Sequence, residues 1–158
     1  MRTLLLTTIA SVSLAISAPA VIAATANVPF TGLVTATCVL TVGTPGVLAP
    51  NTDFTSLNSL AAGGTPGSVS VLSTGATFKV SAIAPTVFTL APPTGGDNVS
   101  FASTYQATGA TAIGTTPGTT QTTVNAGLTN LTINLAATKS AGNFTGGAYA
   151  AEVIVRCE

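Results

Sequence analysis

Beyond residue 42 the chain is cut at intervals by Gly- and Pro-bearing clusters that no helix interior tolerates. They are Gly43-Thr44-Pro45-Gly46, Gly63-Gly64-Thr65-Pro66-Gly67, Pro92-Pro93-Thr94-Gly95-Gly96-Asp97, Gly114-Thr115-Thr116-Pro117-Gly118 and the stretch from Gly142 to Gly147. Proline lacks the N–H a ladder needs and glycine admits positive φ, so such clusters turn the chain. Between them apolar and polar residues alternate in short runs rich in Thr and Val, without a capped helical period. An all-β fold follows, an antiparallel β-sandwich.

The runs predict strands over Val28 to Val42, Ser68 to Leu72, Thr77 to Ala84, Val87 to Ala91, Val99 to Ala107, Leu128 to Leu135 and Ala148 to Cys157. A period of two assigns their faces. Leu131, Ile133 and Leu135 share one side, with Thr132 and Asn134 opposite. In the last run Tyr149, Ala151, Val153, Val155 and Cys157 alternate with Ala150, Glu152, Ile154 and Arg156, whose charges mark the wetter face. Ala107 to Asn125, mostly Thr, Gly and Ala, reads as a long mobile loop with at most one short strand.

Residues 1–23 have the layout of a secretory signal. Arg2 is followed by an apolar run from Leu4 to Ile16, then Pro19 and the compact Val21-Ile22-Ala23. Cleavage is expected after Ala23, with Ala24 and Ala26 as alternative sites. The run has 13 residues, short of the roughly 20 a spanning helix needs, so no transmembrane segment is expected in the mature chain. About 135 residues then remain, enough for one domain with its own core.

Export allows a disulfide, and Cys38 and Cys157 are the only cysteines. One intramolecular bridge is expected, two free thiols or an intermolecular pair being the alternatives. A metal site fails on ligand count, because the chain has no His and neither cysteine has a second one nearby.

Four cations, Arg2, Lys79, Lys139 and Arg156, face four anions, Asp53, Asp97, Glu152 and Glu158. There is no basic footprint for nucleic acid. A neutral surface wetted by hydroxyls and amides suits packing into polymers, since little self-repulsion keeps copies apart. Catalysis has little to stand on. The carboxylates are isolated in sequence, and acid–base work by Asp53 with Asp97, or Glu152 with Lys139, would need a cleft to unite them. No catalytic residue and no cofactor are expected. Asn98, Asn130 and Asn143 open N-x-Ser/Thr triplets of the kind chance supplies in a Thr-rich chain.

The segment Ala24-Thr25-Ala26-Asn27-Val28-Pro29-Phe30-Thr31-Gly32-Leu33-Val34-Thr35-Ala36-Thr37-Cys38 puts Ala26, Val28, Phe30, Gly32 and Val34 on one face of an extended strand. As an ordinary first strand these residues would sit in the chain's own core. The segment also resembles the N-terminal extension of chaperone-usher pilins, in which alternating apolar residues and one Gly precede a Cys. At the other end Gly147-Ala148-Tyr149 through Val155-Arg156-Cys157 resembles the last strand of those pilins and of the related spore coat U class. The resemblance implies an immunoglobulin-like sandwich over 37–158 that lacks a strand, and an extension over 24–36 that fills a neighbour's groove.

By that resemblance Val28, Phe30 and Val34 fill the groove, Gly32 marks a position without room for bulk, and Tyr149, Val153 and Val155 lie on the groove-edge strand. A Cys38–Cys157 bridge would then staple the two groove edges at one pole. The implied role is a structural subunit of a pilus, fimbria or coat, polymerising with copies of itself or related subunits. The implied partners are a periplasmic chaperone and an outer-membrane usher, and the route runs through the periplasm to the cell surface. The alternative is a self-complete secreted sandwich that binds a ligand, such as an adhesin.

Overall fold

The computed structural model describes residues 23–158, so the expected export signal lies almost wholly outside the described residues. The chain divides into two units, Met1–Gly32 and Leu33–Glu158, and every described strand belongs to the second. No helix occurs among the described residues. In chain order the strands are β1 (Cys38–Val42), β2 (Ala49–Pro50), β3 (Ser56–Asn58), β4 (Gly67–Ser73), β5 (Lys79–Ile83), β6 (Val99–Gly109), β7 (Ile113–Pro117), β8 (Thr122–Thr123), β9 (Gly127–Lys139) and β10 (Ile154–Cys157).

All pairings are antiparallel, and β9 is the spine. Its 13 residues alternate cleanly, with Thr129, Leu131, Ile133, Leu135 and Ala137 buried, and no Pro interrupts the ladder. One flank carries β6, from Val99 opposite Lys139 to Gly109 opposite Thr129. The other flank is shared: β4 pairs with the first half of β9 and β3 with the second, and β1 and β2 add outside them. β7 hangs on β6, completing a seven-stranded sheet. The second sheet is smaller, in the order β10-β5-β8.

Between the sheets lies a core that includes Val71, Val80, Ala82, Tyr105, Val124 and Leu131. Tyr105 reaches from β6 across to the small sheet. Its hydroxyl lies 3.2 Å from the carbonyl of Val80, 2.9 Å from that of Thr120 and 2.7 Å from Thr122 Oγ1, so the polar tip of a fully buried ring is satisfied. A second cluster sits at the far end, where Phe88, Phe101, Phe144 and Tyr149 meet edge-on around Leu57 and Ala137.

Three expectations need correction. Residues 107–125 are ordered. They form β7 and β8 and close one side of the sandwich by passing from the large sheet to the small one. Gly118 stitches that side: its N–H donates to the Ser103 carbonyl (2.8 Å) and its own carbonyl accepts from Ala82 N–H (2.9 Å). A Cβ there would collide with Ala82 O and Ser103 Oγ, so only glycine fits. Thr-rich strands with so few buried side chains announce themselves weakly, and their order comes from partners distant in sequence. Within Val28 to Val42 only the last five residues form a strand, because among the described residues 28–34 have no ladder partner and 35–37 are held mainly through Thr74. Val87 to Ala91 contributes only an isolated bridge, Leu90 to Ala150.

Candidate functional site

The side of the sandwich opposite β7 and β8 is open. Among the described residues β1 pairs only with β4 and β10 only with β5, so each leaves one main-chain edge without a partner strand. The Cys38–Cys157 disulfide joins the start of β1 to the end of β10, with Cα atoms 6.3 Å apart. Away from that bridge residue numbers rise along one rim (Leu40, Val42, Thr44) and fall along the other (Val155, Val153, Ala151), so the rims run antiparallel.

Between them lies a cleft of about 1240 Å³, larger than the roughly 300–1,000 Å³ of an ordinary small-molecule pocket. Its floor is Leu57, Val69, Ile133 and Leu135, and Phe54, Phe144 and Tyr149 line the end away from the bridge. Among the described residues of the lining Glu152 alone is charged. The rims show that the cleft is an unfilled stretch of core. Leu40 and Val42 stand opposite Val71 and Val69 in the ladder and so face inward with them, yet they are 37% and 77% exposed. An occupant has to cover apolar side chains and also offer N–H and C=O groups to two bare edges. An extended strand does both.

The predicted groove-edge residues Tyr149, Val153 and Val155 all line this cleft, but of the strand expected over Ala148 to Cys157 only Ile154–Cys157 forms, so Tyr149 and Val153 lie in the irregular stretch before it. Along the last run the expected alternation is present, with Val153, Val155 and Cys157 packing on the core and Glu152, Ile154 and Arg156 exposed. The candidate donor residues occupy the irregular stretch before β1, where Val28, Phe30 and Val34 are exposed and a Cβ at Gly32 would meet none of the described residues. Residues 35–37 continue the line of β1 past the disulfide. Thr37 N–H donates to Thr74 Oγ1 (2.7 Å), Thr74 N–H to the Thr37 carbonyl (3.0 Å), and Thr74 Oγ1 to the Thr35 carbonyl (2.7 Å).

The opposite rim and the floor escaped sequence reasoning. Cys38-x-Leu40-x-Val42 carried a usable signal, since an alternating run that starts at a bridging cysteine must share that cysteine's face. Floor residues drawn from three separate strands carry none.

Several of the groups considered for chemistry or ligand binding make structural contacts. Lys139 Nζ donates to the main-chain carbonyls of Asp97 (2.7 Å) and Thr94 (3.3 Å) and lies 5.3 Å from the centre of the Phe144 ring. Tyr149 Oη donates to the Thr145 carbonyl (2.9 Å) and accepts from Thr145 N–H (3.2 Å). Asn130 accepts a bond from Ser70, and Asn143 donates to the Asp53 carbonyl. Among the described residues no group of three His, Cys, Asp or Glu is placed to hold a metal ion.

Fold and site together define an all-β antiparallel sandwich, closed on one side and open along an apolar cleft on the other. No family model matches the chain, and neither a curated protein nor a solved structure matches it.

Proposed function

We propose that this chain is an exported structural subunit of a surface fibre or coat, in which each copy fills the cleft of the next with the strand Ala26 to Val34. The observation that carries the reading is the exposure of Leu40 and Val42 on the inward face of an edge strand, across an unfilled cleft from Val153 and Val155. A donated strand would run antiparallel to one rim and parallel to the other. Its main chain would pair with both edges, while Val28, Phe30 and Val34 cover the floor. Each such side chain contributes about 1.5–3 kcal/mol if fully buried. A neutral, hydroxyl-rich exterior suits close packing of copies, and resemblance to chaperone-usher pilins supplies the route, with a chaperone shielding the cleft until an usher releases the subunit.

The test is to add a synthetic peptide of residues 24–36 to a chain shortened to begin at Thr35 and to follow its melting temperature, while the full mature chain is examined for fibres. Peptide-induced stabilisation together with fibres supports strand exchange. A full-length chain that stays monomeric at high concentration, with residues 28–34 protected from hydrogen exchange, would leave the self-complete sandwich instead.

A further inference from the structure

The large sheet carries a second apolar feature on the face turned away from the core. Val39, Leu72 and Leu128 stand side by side on one rung of β1, β4 and β9 and are 52%, 50% and 52% exposed. Two rungs further on, on the same face, Thr41, Ser70, Asn130 and Thr108 are aligned in the same way, and Ser70 donates to Asn130 at 2.9 Å. The apolar row is therefore a local break in a hydroxyl- and amide-covered face. Its place is specific: it adjoins the terminal rung Cys38, Ser73 and Gly127, beside the disulfide. Just beyond that rung Thr74 holds residues 35–37.

Resting on the strand-exchange reading, we propose that Val39, Leu72 and Leu128 form a second contact with the very copy that receives this chain's extension. The tether argues for that occupant. Donor residue Val34 immediately precedes Thr35, which Thr74 already holds, so no slack separates the donated strand from this pole. Five residue steps from Val34 to Val39 span at most about 18 Å, and the row itself is about 10 Å wide at two strand spacings. The accepting copy has to sit within reach of it. Three half-exposed side chains bury too little area to hold a dimer unaided. Once the strand is inserted, the contact is intramolecular in effect and high local concentration lets it count.

The experiment compares the full mature chain with a Leu72→Ser, Leu128→Ser double variant. Melting temperature and binding of the 24–36 peptide are expected to stay unchanged, while the strand-exchanged polymer forms or persists at least about tenfold less well. As a check free of substitution, hydroxyl-radical footprinting of the unaltered chain should show Leu72 and Leu128 protected in the polymer relative to the monomer, with Leu60 and Val87 as reference positions. Equal polymer yield and stability in the variant, or unprotected row residues in the polymer, overturn the second contact and leave strand exchange standing. A chain that forms no polymer and binds no peptide overturns both.

Discussion

Val42 and Val69 are ladder partners on adjacent strands and face the same way, yet Val42 is 77% exposed and Val69 is 7% exposed. Chemically identical side chains on one surface differ only in whether something lies over them, so Val42 marks where the sandwich stops being covered.

Substitutions at the two positions should therefore separate. Val69→Ala should lower stability by about 1–3 kcal/mol, as for a truncated core side chain. Val42→Asp should change the monomer by less than about 0.5 kcal/mol, because its surroundings are already wet, and should abolish peptide binding and polymer formation. Thermal unfolding and sedimentation of the two variants check this, and a strongly destabilised Val42→Asp monomer would contradict an open cleft.

Gly32 offers the complementary test on the donor side. With none of the described residues near a Cβ at this position, Gly32→Trp should fold with an unchanged melting temperature. Polymerisation should fail, because an indole cannot enter a close-packed strand position. Unfolding of the monomer would instead mean that the segment belongs to the chain's own core.

Reduction of Cys38–Cys157, or paired replacement by Ser, should cost about 3–5 kcal/mol, since the bridge spans 119 residues. Denaturant melts with and without reductant measure it. The cleft should also lose affinity for the peptide, because the bridge sets the separation of its two rims. Peptide binding that survives reduction at full strength would show that the rims are held by other means.

On the closed side, Tyr105→Phe removes a buried hydroxyl and with it the single proton it can donate to the cluster of the Val80 and Thr120 carbonyls and Thr122 Oγ1, at a cost of about 1–3 kcal/mol. Gly118→Ala should be the more damaging, since backbone and side chain of two different strands stand where its Cβ would go. Chemical denaturation ranks the two, and an undisturbed Gly118→Ala protein would refute the stitching role.

What the sequence made legible follows from range. Alternation in Leu131, Ile133 and Leu135, and in Val153, Val155 and Cys157, is a local signal that the folded chain keeps. The Gly and Pro clusters delimited most strands for the same reason. Residues 107–125 were misread because their order depends on hydrogen bonds to Ser103 and Ala82, which no window of neighbouring residues contains. The short β2 and β3 were missed likewise, as they exist only by leaning on one another and on the far half of β9. The rim formed by Tyr149, Val153 and Val155 was readable, whereas the floor required the topology.

The three bonds by which Thr74 holds residues 35–37 have a consequence for symmetry. They commit the chain to leave the sandwich along the line of β1, past the pole that carries the disulfide. Under strand exchange the giving and receiving surfaces are then different patches of the molecule, so donation in one direction is a heterologous association. Two copies satisfy each other only by reciprocal exchange; where donation runs one way, each copy added leaves one vacant end. Such growth ends only through closure into a ring, exhaustion of subunits, or a terminal copy lacking one of the two surfaces.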